Sequence, residues 1–399
     1  MNQSLKIALV STDYPPLKTS AAVQMRDLAV EFAALGHKPV MIIPTSEIDV
    51  SWTSQNVDGV EVLRLRAPET RVEGYLRRAI AELLLPFIML RNLRKTPLKA
   101  IKWDLVVWYS PPIFFAPLIW AISRSRRTKK YLILRDIFPE WAVDLGIMKR
   151  GLAYLFLKAI AACQYFVADT IGVQTESNLA YLSRWRHSTG RKVEVLQNWL
   201  APHPVSQCSI SIASTPLARR KIFAYIGNMG IAQGVGILLD LAESLKNRTD
   251  IGFIFVGRGS DFAHLVAECR SRGLSNVMLF DEIDSSEIAG LLAQCEVGLV
   301  ALHPAHKTHN IPGKFVSYMQ YGIPVLARVN AGTDLVSLIE SKDVGRVYVG
   351  DSVDELKRIA EELADDDELR KAMSERCKRL GRSMFSPRTA AEQIMNLVE

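Results

Sequence analysis

Cysteine is scarce in this chain, and what there is lies scattered. Cys163, Cys208, Cys269, Cys295 and Cys377 form no CxxC pair and no Cys/His cluster. That leaves no basis for a zinc site or a disulfide framework and fits reduced thiols in a cytoplasmic protein. Long apolar runs are missing too. The longest uncharged stretch, Leu105 to Ser123, contains Pro111, Pro112 and Pro117 and divides into a strand, a turn and a helix. A membrane-spanning helix needs about 20 mostly apolar residues. No charged start leads into an apolar segment at the N-terminus, so no signal peptide is expected. No GxGxxG sits between a strand and a helix, so the full dinucleotide fingerprint is absent. There is no fixed-period repeat and no low-complexity segment.

What is present points to two α/β domains. A chain of 399 residues suits two domains, each of about 200 residues, and 49% hydrophobic residues exclude general disorder. Strands are expected at Lys6–Ser11, Pro39–Ile43, Val60–Leu65, Leu105–Trp108, Tyr131–Arg135, Thr170–Val173 and Val193–Leu196, with a helix over Ala21–Leu35. Residues 201–220 have linker composition. The alternation then restarts with strands Ile222–Ile226, Gly252–Val256, Val277–Phe280, Val297–Val300 and Pro324–Ala327. Helices are expected at Val235–Leu245, Phe262–Arg272, Ser285–Gln294, from Pro312, and over Thr333–Ser341. Alternation of this kind builds parallel sheets covered on both faces, and ligands bind at the carboxyl ends of the strands. Two such units joined by a linker would leave a cleft.

The most informative segment is His309 to Ala327. A Pro312-Gly313-Lys314 turn opens a short helix, and Gly322-Ile323-Pro324 ends it and feeds a buried strand. A helix N-terminus carries about half a positive charge and free N–H groups, and a lysine beside it adds a full charge. That pairing suits a diphosphate. Gly227-Asn228-Met229-Gly230 follows a strand and could let backbone approach a phosphate, or could be an ordinary tight turn. Gly257-Arg258-Gly259 follows another. Asp13-Tyr14-Pro15-Pro16, continuing through Lys18, is either an acceptor-contacting loop or a proline-stiffened one. Asp136, after an apolar strand, could orient a hydroxyl or take its proton, or could cap the next helix. Glu140 and Trp141 could line a sugar site or be surface and core. His303, His306 and His309 are three apart, but Pro304 argues against a helix presenting them to a metal.

Net charge is +7 and unevenly placed. Between Arg71 and Lys102 eight Lys/Arg stand against Glu73 and Glu82, flanking the apolar run Leu83–Leu90. A second cluster runs from Arg124 to Lys130. Apolar runs edged by cations suit an anionic membrane surface, the alternative being a core helix with solvated ends. Nucleic acid is not expected as a partner, because no recognised motif accompanies the charge.

Taken in order, these pieces resemble glycosyltransferase family 4. They are Tyr14-Pro15-Pro16, Leu35-Gly36-His37, Arg135-Asp136 to Pro139-Glu140 with Leu145-Gly146, Gln174-Thr175-Glu176-Ser177, Gln197-Asn198-Trp199, Tyr225-Ile226-Gly227-Asn228, Val256-Gly257-Arg258-Gly259, and Pro312 to Ala327. The nearest branch looks like the bacterial fucosamine-type transferases of O-antigen and capsule synthesis. The resemblance implies an α/β protein with two Rossmann-like domains facing each other across a cleft, the GT-B fold. Residues 1–200 would bind the acceptor, 201–220 would link, and 221–399 would bind a nucleotide sugar, the last helix packing back on the N-terminal domain. It implies retaining transfer, without metal or cofactor, from a nucleotide diphosphate sugar, UDP-linked in expectation, to a lipid-linked saccharide. The protein would be cytoplasmic and peripheral on the inner face of the membrane. Asp136, Glu140 and Lys314 would be catalytic. Gly227, Asn228, Gly230, Gln233, Arg258, Glu282, Ile283, Pro312, Gly313, Lys314 and Ser317 would hold the nucleotide, with backbone near Glu282-Ile283 on the base. The chain departs from the pattern where the family often has two glutamates, here His309 and Ser317. It departs again where many members have an arginine and a lysine, here Asn228 and Gln233. More of the phosphate charge would then fall on Lys314, and the ribose would be held weakly by Ser317 or left to its neighbours. A nucleotide-sugar 2-epimerase and a non-catalytic binding homologue are the alternatives on the same fold.

Overall fold

The computed structural model describes residues 4–17, 19–70, 74–144, 146–303 and 310–398. Lys18, Arg71, Glu73, Leu145, Pro304, His306 and His309, which entered the sequence reading, lie outside the described residues. The chain groups into two compact units, Met1–Trp199 with Pro387–Glu399, and Leu200–Ser386.

The first unit is built on β1 (Lys6–Val10), β2 (Lys38–Thr45), β3 (Trp52–Val57), β4 (Val60–Arg66), β5 (Leu105–Ser110), β6 (Lys129–Leu134), β7 (Thr170–Val173) and β8 (Lys192–Val195). Their order is β3-β4-β2-β1-β5-β6-β7-β8. Every pair is parallel except β3 with β4. Strand β5, Leu-Val-Val-Trp-Tyr-Ser, is buried along its whole length, as a strand covered on both faces must be. Side chains alternate across a strand, so β1 feeds two cores: Ala8 and Val10 enter one cluster, Ile7 and Leu9 the other. Helix Ser20–Ala34 starts at Thr19, whose side chain accepts from the Ala22 N–H. The C-terminal helix Pro387–Met395 packs on it, burying Ala391 and Ile394 in the same cluster as Leu28 and Phe32.

The second unit contains β9 (Lys221–Ile226), β10 (Ile251–Val256), β11 (Val277–Phe280), β12 (Val297–Ala301), β13 (Val325–Arg328) and β14 (Gly345–Tyr348). All neighbours are parallel, in the order β11-β10-β9-β12-β13-β14. That is the doubly wound arrangement, with strand order reversing between β9 and β12.

Several features differ from the sequence reading, strand β14 and the helices Val353–Asp365 and Asp367–Met384 among them. Strand β3 was not expected: its Thr-Ser-Gln-Asn centre is polar, with Ser54, Gln55 and Asn56 exposed, and is carried by hairpin pairing to β4. Residues 201–220 are not a free linker, because Ile210, Ile212 and Leu217 are buried in a cluster with Ile222 and Ile254 of the second unit. The helix expected over Ser285–Gln294 is a 3-10 turn, Ser285–Glu287, followed by the short helix Ile288–Leu292. Among the described residues no helix is long and apolar enough to cross a membrane.

Candidate functional site

Strands β9 and β12 pair only at Val297↔Phe223 and Gly298↔Ala224 and then part. The gap is filled by Tyr318, from the helix Gly313–Tyr321. Its hydroxyl lies 2.9 Å from the Ala224 carbonyl oxygen and 3.2 Å from that of Leu299. The Ile226 N–H donates to the same hydroxyl at 3.3 Å. Gly298 makes room for the ring, since a Cβ there would fall 2.5 Å from Tyr318. One buried phenol therefore holds the helix against the point where the sheet opens. Burial pushes its pKa up, so it stays a neutral donor and acceptor.

This fastening places the helix N-terminus beside the end of β9. Proline at position 312 supplies no side-chain cap, and Phe315 N–H returns to the Pro312 carbonyl at 3.0 Å. The amides of Gly313 and Lys314 have no partner among the described residues, the arrangement that makes a helix start an anion site. The Lys314 ammonium lies over the Tyr225 ring, 3.6 Å from its centroid. Its stem runs past Gly227, where a Cβ would stand 3.6 Å from the Lys314 Cε. Burial brings the Lys314 pKa down to about 7. The residue as a whole is half-buried. The ring face favours the charged form and works against the burial.

Two glycine turns lock together next to it. Gly227 has φ 129 and Gly257 φ 149, conformations that favour glycine, and a Cβ on Gly257 would fall 2.1 Å from the Gly227 carbonyl oxygen. Gly227 N–H donates to Val256 O at 2.9 Å and Met229 N–H to Arg258 O at 2.8 Å, so the loops after β9 and β10 form one surface. Gln233 Oε1 accepts from Asn228 Nδ2 at 3.1 Å and from Gly230 N–H at 3.0 Å, closing the first turn. Gly257→Ala is expected to separate the two turns and cost about 3 kcal/mol, by overpacking and strain together. Urea denaturation checks this, and an unchanged midpoint counts against the interlock.

The other expected nucleotide contacts stand at the same carboxyl edge. Arg258 pairs with Glu282 across the ends of β10 and β11 at 3.1 Å, both side chains largely exposed. Ile283 follows on the same loop. Ser317 lies one turn into the helix, its hydroxyl donating to Gly313 O at 3.3 Å. His303 follows β12.

Asp136 and Glu140 belong to the first unit, after β6. Burial raises the Asp136 pKa and the neighbouring Arg135 opposes it. Arg135 itself is buried, donating to the carbonyls of Leu196 (2.5 Å) and Gln197 (3.1 Å) and lying 5.1 Å from the Trp199 ring centroid. Glu140 opens the helix Glu140–Asp144 and forms an ion pair with Lys158 at 3.0 Å. Trp141 is exposed.

The sequence reading passed over the roles of Tyr225 and Tyr318. Both were quoted in their motifs, but what each touches depends on packing between strands far apart in the chain. The small residue at Gly298 facing an aromatic one in a helix was the available signal for Tyr318.

Residues 211–380 match the family described as Glycosyl transferases group 1. The chain is 22% identical over 305 residues to a probable glycosyltransferase, WbjE, of Pseudomonas aeruginosa, covering 75% of each. Sucrose-phosphate synthase from Thermosynechococcus elongatus superposes with a TM-score of 0.72 at 14% identity, over 98% of each chain. WaaG, a glycosyltransferase involved in lipopolysaccharide biosynthesis, gives 0.62 at 16% identity, over 97% of this chain and 99% of that one. The fold is therefore that of the GT-B glycosyltransferases, an α/β architecture of two Rossmann-like units. The stretch of its second unit that matches the glycosyl transferases group 1 model, residues 211–380, includes Lys314.

Proposed function

We propose that this protein is a glycosyltransferase of bacterial surface polysaccharide synthesis. It transfers a sugar, with retention, from a nucleotide diphosphate donor to a lipid-linked saccharide at the membrane surface. The observation that carries the reading is Lys314 at an open helix start, beside Gly227 at the switch point of a doubly wound sheet. The bond broken is between the anomeric carbon and the β-phosphate oxygen, and the electron pair leaves with the diphosphate. The Lys314 ammonium and the Gly313 and Lys314 amides stabilise that growing charge. The acceptor oxygen forms the new bond to the anomeric carbon on the face the diphosphate leaves, its proton passing to Asp136, whose pKa burial raises, and Glu140 helps hold the acceptor. An N-acetylated amino or deoxy sugar on UDP, and the O-antigen or capsule branch, complete the reading. The family match and WbjE support sugar transfer itself.

The test is a thermal-shift screen of nucleoside diphosphates and nucleotide sugars. A ligand present at about 100 times its Kd adds about 2.7 kcal/mol to the folded state, so UDP is expected to raise Tm by several degrees. No shift with any nucleotide would sink the donor site. Donor binding followed by epimerisation without an acceptor would replace transfer with epimerase chemistry.

A further inference from the structure

The first unit leaves an apolar face uncovered. Helix Leu152–Val167 has 16 residues and one charge, Lys158. Tyr154, Ala161 and Tyr165 on one side are buried against the unit. The opposite side is exposed: Leu152 (87%), Leu155, Phe156 and Phe166 (57%) recur at helical spacing as one stripe. A helix apolar on every side is one that something covers.

Helix Tyr75–Leu93 shows a second such stripe through Ile80, Leu84 and Phe87. Between the two lies helix Ala116–Ile122, which packs against both and exposes Trp120 (66%). Three adjacent helices thus present one apolar surface, of a kind that marks a protein or membrane contact. The charges around it favour a membrane. Each helix has cations at one end: Arg94 and Lys95, Arg126 and Arg127, Lys149 and Arg150. The carboxylates on these helices or pairing with them are neutralised, Glu82 by Arg78 at 2.8 Å and Glu140 by Lys158. A single-signed cationic fringe complements anionic lipid, and a tryptophan on such a face suits the headgroup level. At 16 residues and 1.5 Å per residue, roughly 24 Å, the longer stripe lies on a bilayer instead of crossing a core of about 30 Å.

The stripe on Tyr75–Leu93 runs on to Arg91, one turn past Phe87. Arg91 lines a recess with Ser46, Arg66, Ile88 and Asn92, at the carboxyl end of β4. Among the described residues neither Arg66 nor Arg91 is paired with a carboxylate; Arg66 donates to the Asp49 carbonyl at 2.7 Å. Two unneutralised guanidiniums at the edge of an apolar face match a phosphate held at the lipid surface.

We propose that the face of these three helices rests on an anionic bilayer, with the Arg66–Arg91 recess gripping a lipid phosphate at its rim. This deepens the lipid-linked acceptor reading and rests on it. The test is co-sedimentation of the full chain with phosphatidylcholine vesicles, with and without phosphatidylglycerol. Leu155→Ser with Phe156→Ser, and separately Leu84→Ser with Phe87→Ser, remove exposed side chains. Each pair is expected to lower partitioning about tenfold or more, leaving UDP affinity unchanged. Arg66→Gln with Arg91→Gln is expected to cost about tenfold, on phosphatidylglycerol vesicles alone.

Partitioning unchanged by the serine pairs overturns the face. A dimer in sedimentation velocity that those pairs dissolve, without loss of vesicle binding, assigns the face to a second copy and also overturns it. An equal loss from Arg126→Gln with Arg127→Gln reduces the recess to ordinary surface charge and overturns that part. A chain that partitions as expected but binds no nucleotide leaves the lipid face standing and removes the transferase reading, so the two fail separately.

Discussion

Lys314→Ala is expected to lower turnover about a hundredfold, the scale of removing one preorganised donor to a developing oxyanion, and to leave the fold intact. The loops at the carboxyl edge of the second unit hold few other positive charges. Among the described residues of the loops after β9, β10, β11 and β12 the only cation is Arg258, and it is already paired with Glu282 at 3.1 Å. Asn228 and Gln233 bond to each other and carry no charge. Among the described residues, a leaving diphosphate therefore has one unpaired cation at the helix start, Lys314. Its removal does not unpack the core, because Phe315, Tyr318 and Met319 fix the helix from the opposite side. Tm should hold or rise, since a partly desolvated ammonium is lost with the side chain. Steady-state kinetics with donor and acceptor, beside a thermal melt, separates the roles. Wild-type turnover in the alanine variant would take Lys314 out of the mechanism; a collapse of Tm would make it structural. Lys314→Arg should recover only part of the rate, because a planar guanidinium does not fit over Tyr225 as an ammonium does.

How much of this was readable beforehand depended on whether the controlling interaction was local. Buried parallel strands announce themselves as short apolar runs between turns, and Thr170–Val173 and Val277–Phe280 match β7 and β11 to the residue. The helix at Gly313–Tyr321 was equally plain. Proline and glycine open it, and Gly322 closes it in the left-handed conformation (φ 72), its N–H on Met319 O and the Ile323 N–H on Tyr318 O. Edge strand β3 was not readable, because its polar residues owe their conformation to a partner strand. Nor was the fate of 201–220: Ile210, Ile212 and Leu217 are too irregularly spaced to signal burial, yet the second unit buries them. The Tyr318 bridge requires β9 and β12 to part, a property of strands more than 70 residues apart in the chain. The exposed stripe of Leu152–Val167 illustrates the converse. Sequence shows a helix apolar all round, and only the packed unit shows which side has no cover.

Nucleoside diphosphate binding is expected to weaken as pH rises above 7, by up to tenfold per unit, and to be accompanied by proton uptake. In the free protein burial holds Lys314 down to about 7. A bound diphosphate places two phosphoryl charges beside the ammonium, which favours its protonated form and moves the pKa back up toward the ordinary lysine range. Between the two values the complex binds one more proton than the free protein, so affinity falls with pH through that window and is flat with respect to Lys314 below it. The terminal phosphate titrates near pH 6, with the opposite sign, so the measurement belongs above 7. Calorimetry at pH 8 in two buffers of different ionisation enthalpy reads the uptake directly, as a fraction of a proton approaching one. Lys314→Met should abolish it, and with it the pH slope above 7. The face-on Tyr225 ring sets where the window opens: it favours the charged ammonium in the free protein, so Tyr225→Leu should lower the starting pKa and enlarge the uptake at pH 7. Absence of uptake at pH 8 in the unaltered protein would mean that the diphosphate does not meet this lysine, and the helix start at Gly313 would then have to bind it through backbone amides alone.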